Sequence, residues 1–272
     1  MPRSGASPIS FPAFRGTTRR LILANLFAYF ALLLTGALSQ SAAEWLIDVF
    51  GFLPGAFLHG ALWQPLTYSF IHHGILGTAL ELLSLWFLAG FLEQMHSPSW
   101  VAGLYAASVL GTAIAATAIF GVSSTLGFSL PLIPLYGCFG GIFGLVVTFG
   151  VLYGDMEFML FPLPIGIKAR YMAVVYALIA VAMLFGEQRM YAFAQLGGAL
   201  AGMLFIRFAP RRGISFGFSE QWYGLRNRYY RWKRRRAARK FEVYMRSQGR
   251  TVRFDGSGKQ IDEDPNDKKR WN

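Results

Sequence analysis

Six apolar runs, at roughly residues 21–39, 73–94, 99–121, 135–154, 170–186 and 190–209, constrain this chain more than any other feature. At about 1.5 Å rise per residue, helices of 17–23 residues cover a hydrocarbon layer about 30 Å thick. A backbone in lipid has no water to pair with, so each run must close its hydrogen bonds within a helix. The expectation is an all-α, polytopic membrane protein, a bundle of six transmembrane helices. Composition agrees, since 54% of the residues are hydrophobic and only 15% are charged, against about 25% charged in ordinary soluble domains.

The formal net charge of +12 belongs almost entirely to one end of the chain. Residues 1–210 hold 8 Lys/Arg and 7 Asp/Glu, whereas residues 211–272 hold 18 and 7. Arg15, Arg19 and Arg20 precede the first run, Lys168 and Arg170 lie between the fourth and fifth, and Arg207, Arg211 and Arg212 mark the end of the sixth. The segment after the first run carries Glu44 and Asp48 but no Lys or Arg. Basic residues favour the cytoplasmic side, so both termini are expected in the cytoplasm. Gly36–Ala37–Leu38 imitates a signal-peptide cleavage site, but further apolar runs follow, and the first run reads as a retained span.

Four regions follow: a cytoplasmic segment 1–20, a membrane domain 21–210, a basic and aromatic segment 211–245, and a polar tail 246–272 expected to be poorly ordered. Within the membrane domain, residues 40–72 are rich in aromatics and broken by Gly and Pro, which suits an interfacial loop with short helical pieces. Residues 211–240 hold eleven Lys/Arg against Glu220 alone. Arg226, Arg228, Arg231, Lys233, Arg234, Arg235 and Arg236, interleaved with Tyr229, Tyr230 and Trp232, are candidates to bind anionic headgroups or an acidic surface. Nucleic acid is the less favoured partner, because the juxtamembrane position already accounts for the charge.

A single cysteine, Cys138, excludes an intrachain disulfide. His59, His72, His73 and His96 have no zinc-ligand spacing, so neither metal nor cofactor is expected. Small residues at Gly137, Gly140, Gly141, Gly144, Gly197, Gly198 and Gly202 read as helix-packing positions. Glu81 falls inside a span, where a carboxyl group must be hydrogen-bonded, paired or solvated.

Three passages carry a family resemblance: Trp63-Gln64-Pro65-Leu66-Thr67-Tyr68-Ser69-Phe70-Ile71-His72, Leu85-Trp86-Phe87-Leu88-Ala89-Gly90-Phe91-Leu92-Glu93, and Gly137-Cys138-Phe139-Gly140-Gly141-Ile142-Phe143-Gly144-Leu145. With Ala194-Gln195-Leu196-Gly197-Gly198 in the last run, their order over residues 63–202 resembles the rhomboid intramembrane serine proteases. The resemblance implies a rhomboid-like six-helix bundle. It also implies a serine where Phe139 stands, a histidine where Gln195 stands, and oxyanion-holding His and Asn where Gly77 and Glu81 stand. None of the four can perform those roles, since a ring, an amide and a glycine neither attack nor accept the proton, and a carboxylate repels an oxyanion.

The resemblance therefore implies no enzyme but a pseudoprotease that binds transmembrane helices as adaptor, chaperone or stable subunit of a membrane complex. The alternative it leaves is an active intramembrane endopeptidase using other residues. Candidate contacts for a client are Trp63, Gln64, His72, Glu81 and Phe139, with the Phe139 ring expected to fill the cleft between the fourth and sixth spans. Cys138 is expected to be a small buried hydrophobe, and His72 to steady the loop. The expected location is a bacterial cytoplasmic (inner) membrane, with lipids and other transmembrane proteins as partners.

Overall fold

A computed structural model describes residues 12–127, 134–159, 166–186, 188–208, 214–249, 253–254 and 260–261. Its helices are α1 (Gly16–Leu38), α2 (Gln40–Phe50), α3 (Pro54–Leu58), α4 (Gln64–Thr67), α5 (Ile75–Met95), α6 (Pro98–Leu126), α7 (Phe139–Leu152), α8 (Ala169–Met183), α9 (Arg189–Phe208) and α10 (Ile214–Ser247). Two short antiparallel pairs join β1 (Glu157–Met159) to β2 (Gly166–Lys168) and β3 (Arg253–Phe254) to β4 (Gln260–Ile261). The chain divides into two units, residues 1–214 and 215–272.

The protein is a mostly helical, polytopic membrane protein. Four helices, α1, α5, α6 and α9, are long and apolar enough to cross a bilayer, whereas α7 and α8 are apolar but shorter, at 14 and 15 residues. The run at 135–154 yields a helix only from Phe139, because the residues before it are used elsewhere. Leu135 pairs with Phe52 through two backbone hydrogen bonds of 2.9 Å, and Gly137, at φ +93°, donates its N–H to the carbonyls of Tyr68 and Ile71. The positive φ there favours glycine.

Local signals set the other boundaries. The Ser39 hydroxyl accepts from the Ala42 N–H at the start of α2, and the Ser97 hydroxyl accepts from the Trp100 N–H at the start of α6, where Pro98 occupies the first turn. Gly127, left-handed at φ +74°, ends α6. The stretch 40–72 is α2, α3, α4 and a 3-10 turn, Tyr68–Phe70.

Side chains show which solvent the fold expects. Large apolar residues such as Phe27, Phe30 and Leu34 on α1 and Val174, Leu178 and Ile179 on α8 point outward, while Thr18, Asn25, Ser108, Thr112, Thr148 and Gln195 are buried. That pattern suits helices surrounded by lipid. The core is nevertheless close-packed, with Leu85, Leu92, Leu104, Val109, Leu145 and Phe149 almost wholly enclosed.

Three helices touch through glycines. A methyl at Gly198 would meet the Gly140 carbonyl oxygen at 2.5 Å, and one at Gly202 would meet the Gly144 Cα at 2.7 Å. These contacts bring α7 against α9, and Thr112 of α6 reaches the same place.

Contacts also fix the direction of each long helix. Thr17 beside Glu93 and Pro98, Tyr153 beside His96, and Trp100 against Phe205 gather the start of α1, the end of α5, the start of α6, the end of α7 and the end of α9 at one end of the bundle. The N–H groups of Ala169 and Arg170 donate to Met156 and Gly154, so α8 starts there too. The six helices thus alternate in direction, and Arg15, Arg19, Arg20, Lys168, Arg170 and Arg207 collect at that one end. Within residues 246–272, Arg253–Phe254 and Gln260–Ile261 form a short paired ladder. Arg211 and Arg212 lie outside the described residues.

Candidate functional site

Inside the bundle the most chemically unusual feature is a chain of polar groups running from α1 to α7. The side-chain amide of Asn25 on α1 donates to the Leu21 carbonyl at 2.7 Å, which leaves its Oδ1 facing His72 Nε2 at 2.8 Å. His72, only 2% exposed, sits on the stretch that turns into the bundle just before α5. Its Nδ1 lies 3.3 Å from Glu81 Oε2 without a hydrogen bond. Glu81 Oε2 accepts from the backbone N–H of Cys138 at 2.9 Å and from its thiol at 3.4 Å. Among the described residues, His72, Glu81 and Cys138 place one ligand-type atom each within 4.8 Å of one another, all three buried.

Local structure explains the convergence. Gly74, at φ +79°, reverses the chain before α5, so His72 is directed back toward the second turn, where Glu81 stands. Cys138 precedes the first turn of α7, and a Cβ on Gly137 would come within 2.8 Å of Glu81 Oε2, so only glycine leaves the carboxylate its place. Cys138 is thus not the isolated hydrophobe expected, because a carboxylate holds both its thiol and its amide. His72 steadies α1 through Asn25 rather than the loop alone. Spacing could not announce this site, since its members lie 9 and 57 residues apart on separate elements.

A second buried carboxylate, Glu93 on the last turns of α5, closes the N-terminus of α1. It accepts the backbone N–H groups of Thr17 at 2.8 Å and Thr18 at 2.9 Å, and the Thr18 hydroxyl at 2.5 Å. An anion belongs at the positive end of a helix, where free N–H groups collect. Nearby, the Tyr153 hydroxyl meets His96 Nε2 at 3.0 Å, and the His96 ring stacks on Trp100 at 3.8 Å. Partial burial pulls the His96 pKa below its ordinary value and raises that of Tyr153.

Of the remaining expected site residues, Phe139 and Gln195 come together and the others lie apart. Phe139 is 37% exposed at the start of α7, and Gln195 is 5% exposed on α9. They share with Tyr68, Tyr136, Gly140 and Tyr191 the lining of a cavity of about 10 Å³, room for about one water. Gly77 faces open space, with nothing within 4 Å of a methyl built on it. Trp63 is half exposed and donates its indole N–H to the Val49 carbonyl. Gln64 is buried, accepting from the Leu53 N–H at 3.1 Å and donating to the Asp48 and Val49 carbonyls. Gln64, His72 and Glu81 are therefore buried against groups inside the chain.

In the second unit, α10 is one helix of 34 residues. Arg226, Arg228, Arg231, Lys233, Arg234 and Arg236 are exposed along it, as are Tyr229, Tyr230 and Trp232. The guanidinium of Arg236 lies 5.4 Å from the centre of the Trp232 ring. The Arg235 side chain lies outside the described residues.

A family profile described as eukaryotic integral membrane protein (DUF1751) matches residues 20–226, about three quarters of the chain. No curated protein matches it. The match corrects the resemblance drawn from the glycine and tryptophan motifs, because the family is not one of the rhomboid peptidases. The pseudoprotease or adaptor role and the alternative of an active endopeptidase, both inferred from that resemblance, fall with it. Phe139, Gln195, Gly77 and Glu81 lose the meaning of degenerate catalytic positions that it lent them. Short glycine-rich faces recur wherever membrane helices pack closely, which is why they misled. The bacterial inner membrane is corrected as well, since the family is eukaryotic. With α1, α5, α6 and α9 each able to cross a bilayer and the matched segment running from the start of the first span into α10, the chain belongs to this family of eukaryotic integral membrane proteins.

Proposed function

We propose that this is a non-enzymatic membrane protein of six spans with both termini in the cytoplasm, whose helix α10 binds anionic lipid headgroups. The observation that carries the reading is the run of exposed cations and aromatics on α10, which begins six residues after the last span ends. A cation near an anionic membrane surface contributes about 1 kcal/mol, and interleaved Tyr and Trp favour the interface. Other transmembrane proteins are proposed as partners through the lipid-facing helices.

Several observations support the parts of this reading. Alternating helix directions favour α7 and α8 as short spans, and the basic residues gathered at one end favour that end as cytoplasmic.

The test is hydrogen exchange of residues 226–246 in the full chain, reconstituted in nanodiscs of neutral lipid and of neutral lipid mixed with an anionic one. Protection is expected only with anionic lipid, and it should fade toward 1 M salt, where the screening length falls to about 3 Å. Replacing Arg231, Lys233, Arg234 and Arg236 with Gln should abolish it. Equal exchange in both lipids would refute lipid binding. Glycosylation acceptors placed at the α2 and α6–α7 loops and at both termini test the topology, with only the loops expected to be modified.

A further inference from the structure

The geometry points to a divalent transition-metal site, of the zinc class, formed by His72 Nδ1, the Glu81 carboxylate and Cys138 Sγ. The inference stands on this cluster and is independent of α10. It begins with the Asn25 amide. Because Asn25 Nδ2 donates to the Leu21 carbonyl, Oδ1 faces His72, and the reverse orientation would set two carbonyl oxygens against each other. His72 Nε2 must then carry the hydrogen. In the neutral ring this leaves the lone pair on Nδ1, a buried atom with no hydrogen bond that faces the Glu81 carboxylate. Two acceptors 3.3 Å apart, both buried within the bundle, call for a positive charge between them, a proton or a metal ion.

The donor set selects the class of ion, and the two separations that run through Glu81 are compatible with it. Bond lengths of about 2.0–2.1 Å to nitrogen or oxygen and about 2.3 Å to sulfur, on tetrahedral angles, separate N from O by about 3.3 Å and O from S by about 3.6 Å. The observed separations are 3.3 Å for His72 Nδ1 to Glu81 Oε2 and 3.4 Å for Glu81 Oε2 to Cys138 Sγ. One thiolate, one imidazole and one carboxylate suit zinc, cobalt or copper over magnesium or calcium, which prefer all-oxygen shells. Asn25 supplies the outer hydrogen bond that orients a ligating histidine.

Charge favours the same assignment. On binding, the Cys138 thiol releases its proton to solvent, and the thiolate, the carboxylate and a divalent ion sum to zero. Without an ion the span buries a carboxylate beside a lone pair, and burying unbalanced charge is the costlier state. Three protein ligands leave a fourth position to a small oxygen donor such as water.

The test uses full-length protein purified in mild detergent, exposed to Zn²⁺ or Co²⁺ and freed of excess ion by gel filtration. The proposal expects about one ion per chain by elemental analysis, and for Co²⁺ a thiolate-to-metal charge-transfer band. His72→Gln and Cys138→Ser should each abolish both readings, and Asn25→Leu should weaken binding about 10–100-fold in competition with a chelating dye. If either ligand variant aggregates, the wild-type cobalt spectrum still decides, because Cys138 is the chain's only cysteine. Absence of that band with micromolar cobalt overturns the proposal, whether the cluster then holds a proton or nothing. Undiminished zinc in both His72→Gln and Cys138→Ser overturns it as well.

Discussion

Replacing Glu93 with Gln should loosen the whole membrane bundle, although the change is isosteric and lies toward the other end of α5 from Glu81. The carboxylate holds three donors at the N-terminus of α1, all of them buried. An amide keeps one acceptor oxygen, which can serve Thr18, but turns an NH₂ group toward the Thr17 N–H and removes the charge that complements the helix end. A buried donor left unpaired costs about 1–3 kcal/mol, and the lost charge up to about 2 more. The expected loss is about 2–3 kcal/mol, and Glu93→Ala, which strands all three donors, should reach about 3–5 kcal/mol.

Cys138 provides the readout. It is the only cysteine in the chain and is fully buried. It lies against Glu81, beside the His72 that Asn25 of α1 holds, so release of α1 is expected to loosen its surroundings and uncover it. Labelling by a thiol-reactive dye, measured in nanodiscs and normalised to the rate in denaturant, reports the opening equilibrium. At about 1.4 kcal/mol per tenfold, Glu93→Gln should label roughly 30–150 times faster than wild type, and Glu93→Ala faster still. Glu44→Gln, a change at an exposed carboxylate, is the control and should label like wild type. A Glu93→Gln rate within threefold of wild type would refute the argument that this carboxylate holds α1 to the bundle.

Gly198→Ala should destabilise by about 1–3 kcal/mol, because its methyl meets the Gly140 carbonyl oxygen; Gly77→Ala, with open space around it, should be neutral or stabilising by about 0.5–1 kcal/mol, and the same labelling assay separates the two. Gln64→Ala should cost about 2–3 kcal/mol by stranding the Leu53 N–H and two carbonyls, read as a lower melting temperature by tryptophan fluorescence. Burial lowers the His96 pKa in the folded chain, so the unfolded chain takes up the proton first as pH falls. Its contribution is full above about pH 6.5 and is lost as pH drops from there through the depressed folded value. Melting temperatures between pH 7.5 and 5.5 should fall more steeply for wild type than for His96→Gln, and equal slopes would dismiss the burial argument.

Much of the architecture was legible because lipid imposes a simple rule on sequence. Apolar runs long enough to span must be helices, and the tail's charge separates it from them whatever the fold. The start of α7 was not legible, because Leu135 and Gly137 are apolar or small, and nothing local says that a strand-like contact with Phe52 will claim them. Motif resemblance failed for a related reason, since closely spaced glycines report tight helix crossing and say nothing of the chemistry between the helices.

From sequence alone came a helical membrane protein, its basic end and the cationic segment that α10 carries, all consequences of hydropathy and net charge summed over many residues. Only the tertiary structure decided that Asn25, His72, Glu81 and Cys138 share one site, and that Gln64 and Glu93 are internal fastenings. Those facts depend on where four separate elements converge within a few ångströms, and each residue taken singly has a plain alternative reading. Periodicity reports which face of a helix is apolar. Which polar groups meet across the interior is set by how the helices cross, and that is a property of the folded bundle.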